Sequence, residues 1–194
     1  YYERSEIKND MSYLRLVYGR EDDAAFERVI NIPPRGIGAK TIDIIRAKAS
    51  EKGFSLWKAC EELLDIEGLT PRAAQAIQGF MSSFNSLESE TKDLQLRDIV
   101  DMTIERSGLI EYHKKEAGEK GRTRVENLSE LVGAARDFEP DSFDELEESA
   151  LKMFIDHAAL DAGDTQASEH ESAIQLMTLH SAKGCLLYTS DAAD

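Results

Sequence analysis

Arg35-Gly36-Ile37-Gly38-Ala39-Lys40-Thr41 is the stretch on which the reading of this chain turns. On its N-terminal side Phe26, Val29 and Ile30 recur at helical spacing, and on its C-terminal side the pattern resumes from Ala39 to about Lys52. The seven residues between them are too few and too glycine-rich to form an element of their own. They form a tight interhelical turn, which Pro33-Pro34 opens by stopping the preceding helix. The same periodicity fills most of the chain. A first helix carries Ile7, Met11, Leu14 and Tyr18 inward and ends at Gly19, and Asp22 or Asp23 caps a second. A fourth surrounds Trp57 from about Ser55 to Leu64, and Thr70-Pro71 opens a fifth that buries Ile77, Phe80, Met81 and Phe84. Leu96 to Ser107-Gly108, Val125 to Phe138 and Ser149 to Leu160 complete the helices, with 139–148 an acidic surface loop and 161–172 a polar linker.

One segment departs from this pattern. Ile174-Gln175-Leu176-Met177-Thr178 is a strand-like apolar run that passes through Leu179-His180-Ser181-Ala182-Lys183 to Gly184. A single strand cannot stand alone, so its sheet belongs to sequence outside this chain. The fold class is therefore mainly α, a helical subdomain plus one C-terminal strand orphaned from an α/β core.

The chain has 194 residues and a formal charge of −15, which taken globally argues against nucleic acid. The distribution argues otherwise. From Arg28 to Cys60 there are seven basic residues against Asp43 and Glu51, a local balance of +5. From Asp137 to Glu171 there are twelve acids against Lys152 alone. No run approaches the roughly 20 apolar residues of a membrane span, and Cys60 reads as a small buried helix residue of a reducing, cytoplasmic protein.

A Gly-apolar-Gly turn between helices resembles the helix-hairpin-helix element, which holds duplex DNA without reading its sequence. Gly36 and Gly38 let the main chain approach a phosphate, and the first amides of the next helix point outward with the helix dipole behind them. Arg35 and Lys40 add charge, Ile37 fills the turn, and the Thr41 hydroxyl can donate once more. Lys120, Arg122 and Arg124 sit in a second glycine-containing segment, 118–124, which is either a second duplex contact at a helix start or a solvated loop. Thr70-Pro71-Arg72 is either a phosphate-facing turn or a plain helix cap.

The run 174–184 resembles motif V of the UvrD/PcrA/Rep group of superfamily 1 DNA helicases. The likeness extends to Tyr2-Glu3-Arg4-Ser5-Glu6-Ile7-Lys8 with Tyr13-Leu14-Arg15-Leu16, to Asp22-Asp23-Ala24-Ala25-Phe26-Glu27-Arg28-Val29-Ile30-Asn31, and to residues 118–128. Asn9 stands where that family would have Asp. The resemblance implies that 1–19 is the edge of core domain 2A, 20–171 the helical 2B subdomain, and 172–184 the motif V strand and loop of a RecA-like core. It implies a 3′–5′ ATP-dependent helicase acting in DNA unwinding and repair, associated with the nucleoid, with repair or polymerase proteins as further partners. Thr178 and His180 would line the single-stranded track, and Lys183 and Gly184 would lead toward the nucleotide. ATP and Mg²⁺ belong to that parent enzyme. This chain has no G-x-x-x-x-G-K-[ST] loop, so it is expected to bind neither well and to be inactive alone. Two other readings stay open: a stand-alone helix-hairpin-helix module, and a helical protein-interaction domain.

The ends stand apart. Tyr1 in place of Met implies missing sequence upstream, and Cys185-Leu186-Leu187-Tyr188-Thr189-Ser190-Asp191-Ala192-Ala193-Asp194 reads as a foreign, adapter-derived tail. Leu186 occupies the position where the family has a nucleotide-contacting glutamate.

Overall fold

A computed structural model describes residues 1–138 and 149–169, without the side chains of 164–169. The expected loop at 139–148 and the motif V strand lie outside the described residues. Within them the protein is helical: α1 (Ser5–Tyr18), α2 (Asp23–Val29), α3 (Ala39–Lys52), α4 (Leu56–Asp65), α5 (Pro71–Thr91), α6 (Leu96–Ser107), α7 (Leu109–Lys114), α8 (Glu119–Asp137) and α9 (Ala150–Glu169).

The caps explain the boundaries. Asp22 accepts from the Ala25 amide, Ser55 from Lys58 and Thr70 from Ala73, so each fills one of the donors that a helix start leaves open. Pro71 follows its cap at the first helical position, where its missing N–H costs nothing.

Residues 3–155 form one compact unit. At its centre lies α1, packed against α2, α5, α6 and α8, while α3 packs on α4 and α8 on both α6 and α7. Enclosed on several sides, α1 buries ten of its residues, among them Glu6, Asn9 and Asp10. Its last turn escapes: Tyr18, expected to face inward, is 49 % exposed where the helix runs out at Gly19. An aromatic cluster of Tyr13, Phe26, Trp57, Phe80 and Phe84 joins α1, α2, α4 and α5, with ring centroids 5.1–6.2 Å apart. All five rings are buried, each worth roughly 1.5–3 kcal/mol over exposure.

Three sequence expectations need correction. The six residues of α7 are too short to show a period, and the sequence reading missed it. Helix α8 begins at Glu119 rather than Val125, so 118–124 is not a solvated loop. The supposed linker from Asp161 is helical through Glu169, since its alanines and charged residues carry no breaker strong enough to end α9.

The second unit comprises residues 1–2 and 156 onward. In it the Tyr2 ring meets Tyr1 and His157 edge-on, at 5.2 and 6.4 Å, while Leu160 is 70 % exposed.

Candidate nucleic-acid interface

The α2–α3 turn stands at the surface on a rigid base. After a cis Ile32–Pro33 bond the chain reaches Gly36 at φ +73°, a left-handed conformation that glycine adopts without strain. Ile37 alone turns inward, with 3 % of its surface exposed, whereas Gly36, Gly38, Ala39 and Lys40 are exposed and Thr41 is half-buried. Asn31 holds the turn. Its Oδ1 accepts from the amides of Ile37, at 3.2 Å, and Arg35, at 3.4 Å, while its Nδ2 donates to the Ile37 carbonyl.

Those bonds settle which amides are already used. The first bond within α3 runs from the Ile42 amide to the Gly38 carbonyl at 3.1 Å. Gly38 is the N-cap, without a side chain to fill the donors beyond it. Among the described residues no acceptor meets the amides of Gly38, Ala39, Lys40 or Thr41. Four donors at a positive helix end thus face solvent, an arrangement that favours an anion.

Arg35 does not join them. Its guanidinium turns inward and donates to the carbonyls of Val29 (2.7 Å), Ile30 (3.0 Å) and Pro33 (3.2 Å), and to the Tyr13 hydroxyl. It also lies 4.9 Å from the Phe80 ring centroid and 5.9 Å from that of Tyr13. Arg35, expected at a phosphate, is in this structure engaged within the fold: it closes the carbonyl end of α2 and anchors the turn.

The surrounding basic residues are mostly neutralised as well. Arg46 pairs with Glu27 and Asp43, Lys48 with Glu51, and Lys58 with Glu61. Arg28 donates to Oδ1 of Asn9 at 2.9 Å. Of the seven cations counted in the sequence, Lys40 and Lys52 have neither an ion pair nor a side-chain hydrogen bond among the described residues, and Lys40 lies on the first turn of α3. Cys60 is fully buried, and burial with Glu61 alongside pushes its thiol up to about 12, leaving it inert.

The second basic segment is built differently. Arg124 donates to Glu116 at 2.7 Å and lies 3.8 Å from Glu6, and Glu6 accepts from Asn127 at 2.6 Å. Asn127 in turn accepts from Arg4 at 2.6 Å. Arg124, read in sequence as a possible second duplex contact, here ties α8 to Glu6 of α1 and to Glu116 of the α7–α8 connection. Lys120 and Arg122 are exposed. Thr178, His180, Lys183 and Gly184 lie outside the described residues.

A family model for the UvrD-like helicase C-terminal domain matches residues 1–186. The chain belongs to that family. It is 50% identical over 186 residues to DNA helicase II of Escherichia coli and 48% identical over 185 to that of Haemophilus influenzae. It is 34% identical over 184 residues to the ATP-dependent DNA helicase PcrA of Staphylococcus aureus. Each comparison covers 95% of this chain and 25% of the relative, so the chain spans about a quarter of their length. No helix among the described residues of this UvrD-like chain is long and apolar enough to cross a membrane.

Proposed function

We propose that this chain is the duplex-gripping part of a 3′–5′ ATP-dependent DNA helicase, with residues 20–171 as its 2B subdomain and 1–19 and 172–184 as flanks from core domain 2A. The α2–α3 turn serves as a helix-hairpin-helix element. The observation that carries this is the exposed start of α3, where four amides and Lys40 face outward without partners among the described residues. A sugar-phosphate backbone supplies the anion such a site accepts, and contacts of this kind place a protein on DNA without reading bases. Gly36, Gly38, Lys40 and Thr41 would make the contact, with Ile37 as its inward anchor and Arg35 and Asn31 as positioning residues. Lys120 and Arg122 would form a weaker second contact.

In the intact protein, ATP hydrolysis would drive movement along one strand past Thr178 and His180, and this turn would hold the duplex being opened. The sequence of this chain contains no G-x-x-x-x-G-K-[ST] run, so ATP and Mg²⁺ would be held by other parts of the intact protein. A role in repair, with repair or polymerase partners at the nucleoid, follows from the same reading. Residues 185–194 remain a foreign tail, and an uninterrupted genomic read through codon 185 would overturn that assignment.

The test is duplex binding across a salt series. Lys40→Ala should weaken binding to all sequences alike and shallow the slope of log K against log salt by about one unit. Gly38→Pro removes an amide at a residue whose φ of −82° proline tolerates. Unchanged affinity in the double variant would sink the proposal.

A further inference from the structure

We infer that Arg72 is a second phosphate-gripping residue, working beside the α2–α3 turn on the same strand of duplex DNA. The inference rests on the proposed duplex-holding role and extends it to a residue of a different helix. Sequence left Thr70-Pro71-Arg72 open between a helix cap and a phosphate-facing turn. The cap is real, since Thr70 Oγ1 accepts from the Ala73 amide at 3.3 Å. It accounts for Thr70 and Pro71 but gives Arg72 nothing to do.

The position of Arg72 supplies the missing role. A Cβ built on Gly36 would lie 4.0 Å from Nη2 of Arg72, and no other heavy atom comes within that distance. The first turn of α5 thus carries this guanidinium to the exposed left-handed corner of the turn. Arg72 is exposed, and among the described residues no carboxylate, carbonyl or aromatic ring engages it.

Its neighbours make that freedom informative. Arg46 and Lys58, exposed cations on α3 and α4, are held by Glu27, Asp43 and Glu61, while Lys52 is exposed at the opposite end of α3 from the turn. Arg35 is turned inward. Arg72 thus stands at the Gly36 corner, and Lys40 is exposed on the first turn of α3, four residues further along the chain. A planar guanidinium can take two oxygens of one phosphate, which the point charge of Lys40 cannot do. A backbone crossing this corner would meet Lys40 and the α3 amides at one phosphate and Arg72 at a neighbouring one.

The experiment compares the full chain with Arg72→Ala, Arg72→Lys, Lys40→Ala and the Arg72→Ala/Lys40→Ala pair, measuring duplex affinity between low and moderate salt. Thermal unfolding of each variant serves as the control for fold. Arg72→Ala should shallow the log–log salt slope by about one unit, and the pair by about two, because each phosphate contact releases its own counterion. Arg72→Lys should keep the wild-type slope and lose affinity at every salt concentration, since charge is retained and the two-oxygen contact is not. A wild-type slope in Arg72→Ala alongside a reduced one in Lys40→Ala would overturn this inference and leave the duplex-gripping role standing. A chain that binds no duplex, or unchanged slopes in all variants, would overturn both.

Discussion

Two glycine-containing turns in this chain carry basic residues at the start of a helix, and the structure puts them to opposite uses. In the α2–α3 turn, Gly36 takes a left-handed angle at the surface and Gly38 has open space beside it. At the start of α8, just after the α7–α8 connection, Gly121 is buried, and a Cβ there would come within 2.5 Å of the His113 carbonyl oxygen and 2.7 Å of that of Glu116. The glycines of the first turn leave its backbone open to a close approach from outside. The second keeps Gly121 so that the protein can close on itself. The cations follow suit, with Lys40 facing solvent and Arg124 bound to Glu116 and Glu6. Glycine and positive charge together do not mark an anion site. The deciding feature is whether carboxylates and carbonyls of the fold have already taken the charge.

The most damaging way to break this comparison is to remove the base of the open turn. Arg35→Ala would strip three carbonyls and the Tyr13 hydroxyl of their donor at one stroke. Hydrogen bonds from a charged donor are each worth about 1.5–3 kcal/mol, and solvent can replace some of them. A loss of about 3 kcal/mol in unfolding free energy is expected by urea denaturation, together with weaker duplex binding. A phosphate-contacting Arg35 would instead leave stability unchanged and reduce only the salt slope.

Next in size is a pair of matched glycine substitutions. Gly121→Ala forces a methyl group into two backbone carbonyls, an overpacking that costs about 1–3 kcal/mol. Gly38→Ala meets no atom within 4 Å, and its φ is ordinary for alanine. It should therefore unfold close to the wild-type temperature. Equal losses of thermal stability in the two variants would erase the distinction between the turns.

Sequence reading reached the helices whose ends carry side-chain signals. Ser55, Thr70-Pro71 and Asp22 each mark a start through a group that fills an open amide, and α3 runs between Ala39 and Lys52 as the periodicity indicates. It did not reach α7 or the early start of α8, because six residues show no period and two glycines three residues apart imitate a loop. At the site, the turn itself was legible and the direction of its side chains was not. Arg35 and Lys40 look alike in sequence; only the packed carbonyls at the end of α2 and the rings of Phe80 and Tyr13 separate them. Asn31 was missed for a related reason. An asparagine before Pro33-Pro34 carries no local mark of the peptide it clamps six residues later. Arg72 was visible only as an unresolved alternative, since its nearness to Gly36 spans 36 residues of chain.

The last effect is read from pH and distinguishes two buried carboxyl groups of α1. Glu6 has Asn127 and Arg124 as partners. Asp10 is fully buried and neither of its oxygens has a hydrogen-bond partner among the described residues. Burial pushes its carboxyl well above the ordinary carboxylate value, so it stays protonated in the folded protein over a range where the unfolded chain has already released the proton. The sign follows from proton counting. Where the native state binds the extra proton, stability falls as pH rises, beginning at the unfolded value near 4 and continuing until the folded value is passed. Asp10→Asn removes that dependence without changing shape. Its stability should match that of the wild type near pH 4 and exceed it by a margin that widens as pH rises through that window. Urea midpoints of both proteins in parallel from pH 4 to 8 measure the gap directly, and other carboxylates cancel in the difference. A gap that stays constant with pH would mean that Asp10 is ionised and paired in the folded protein, as Glu6 is.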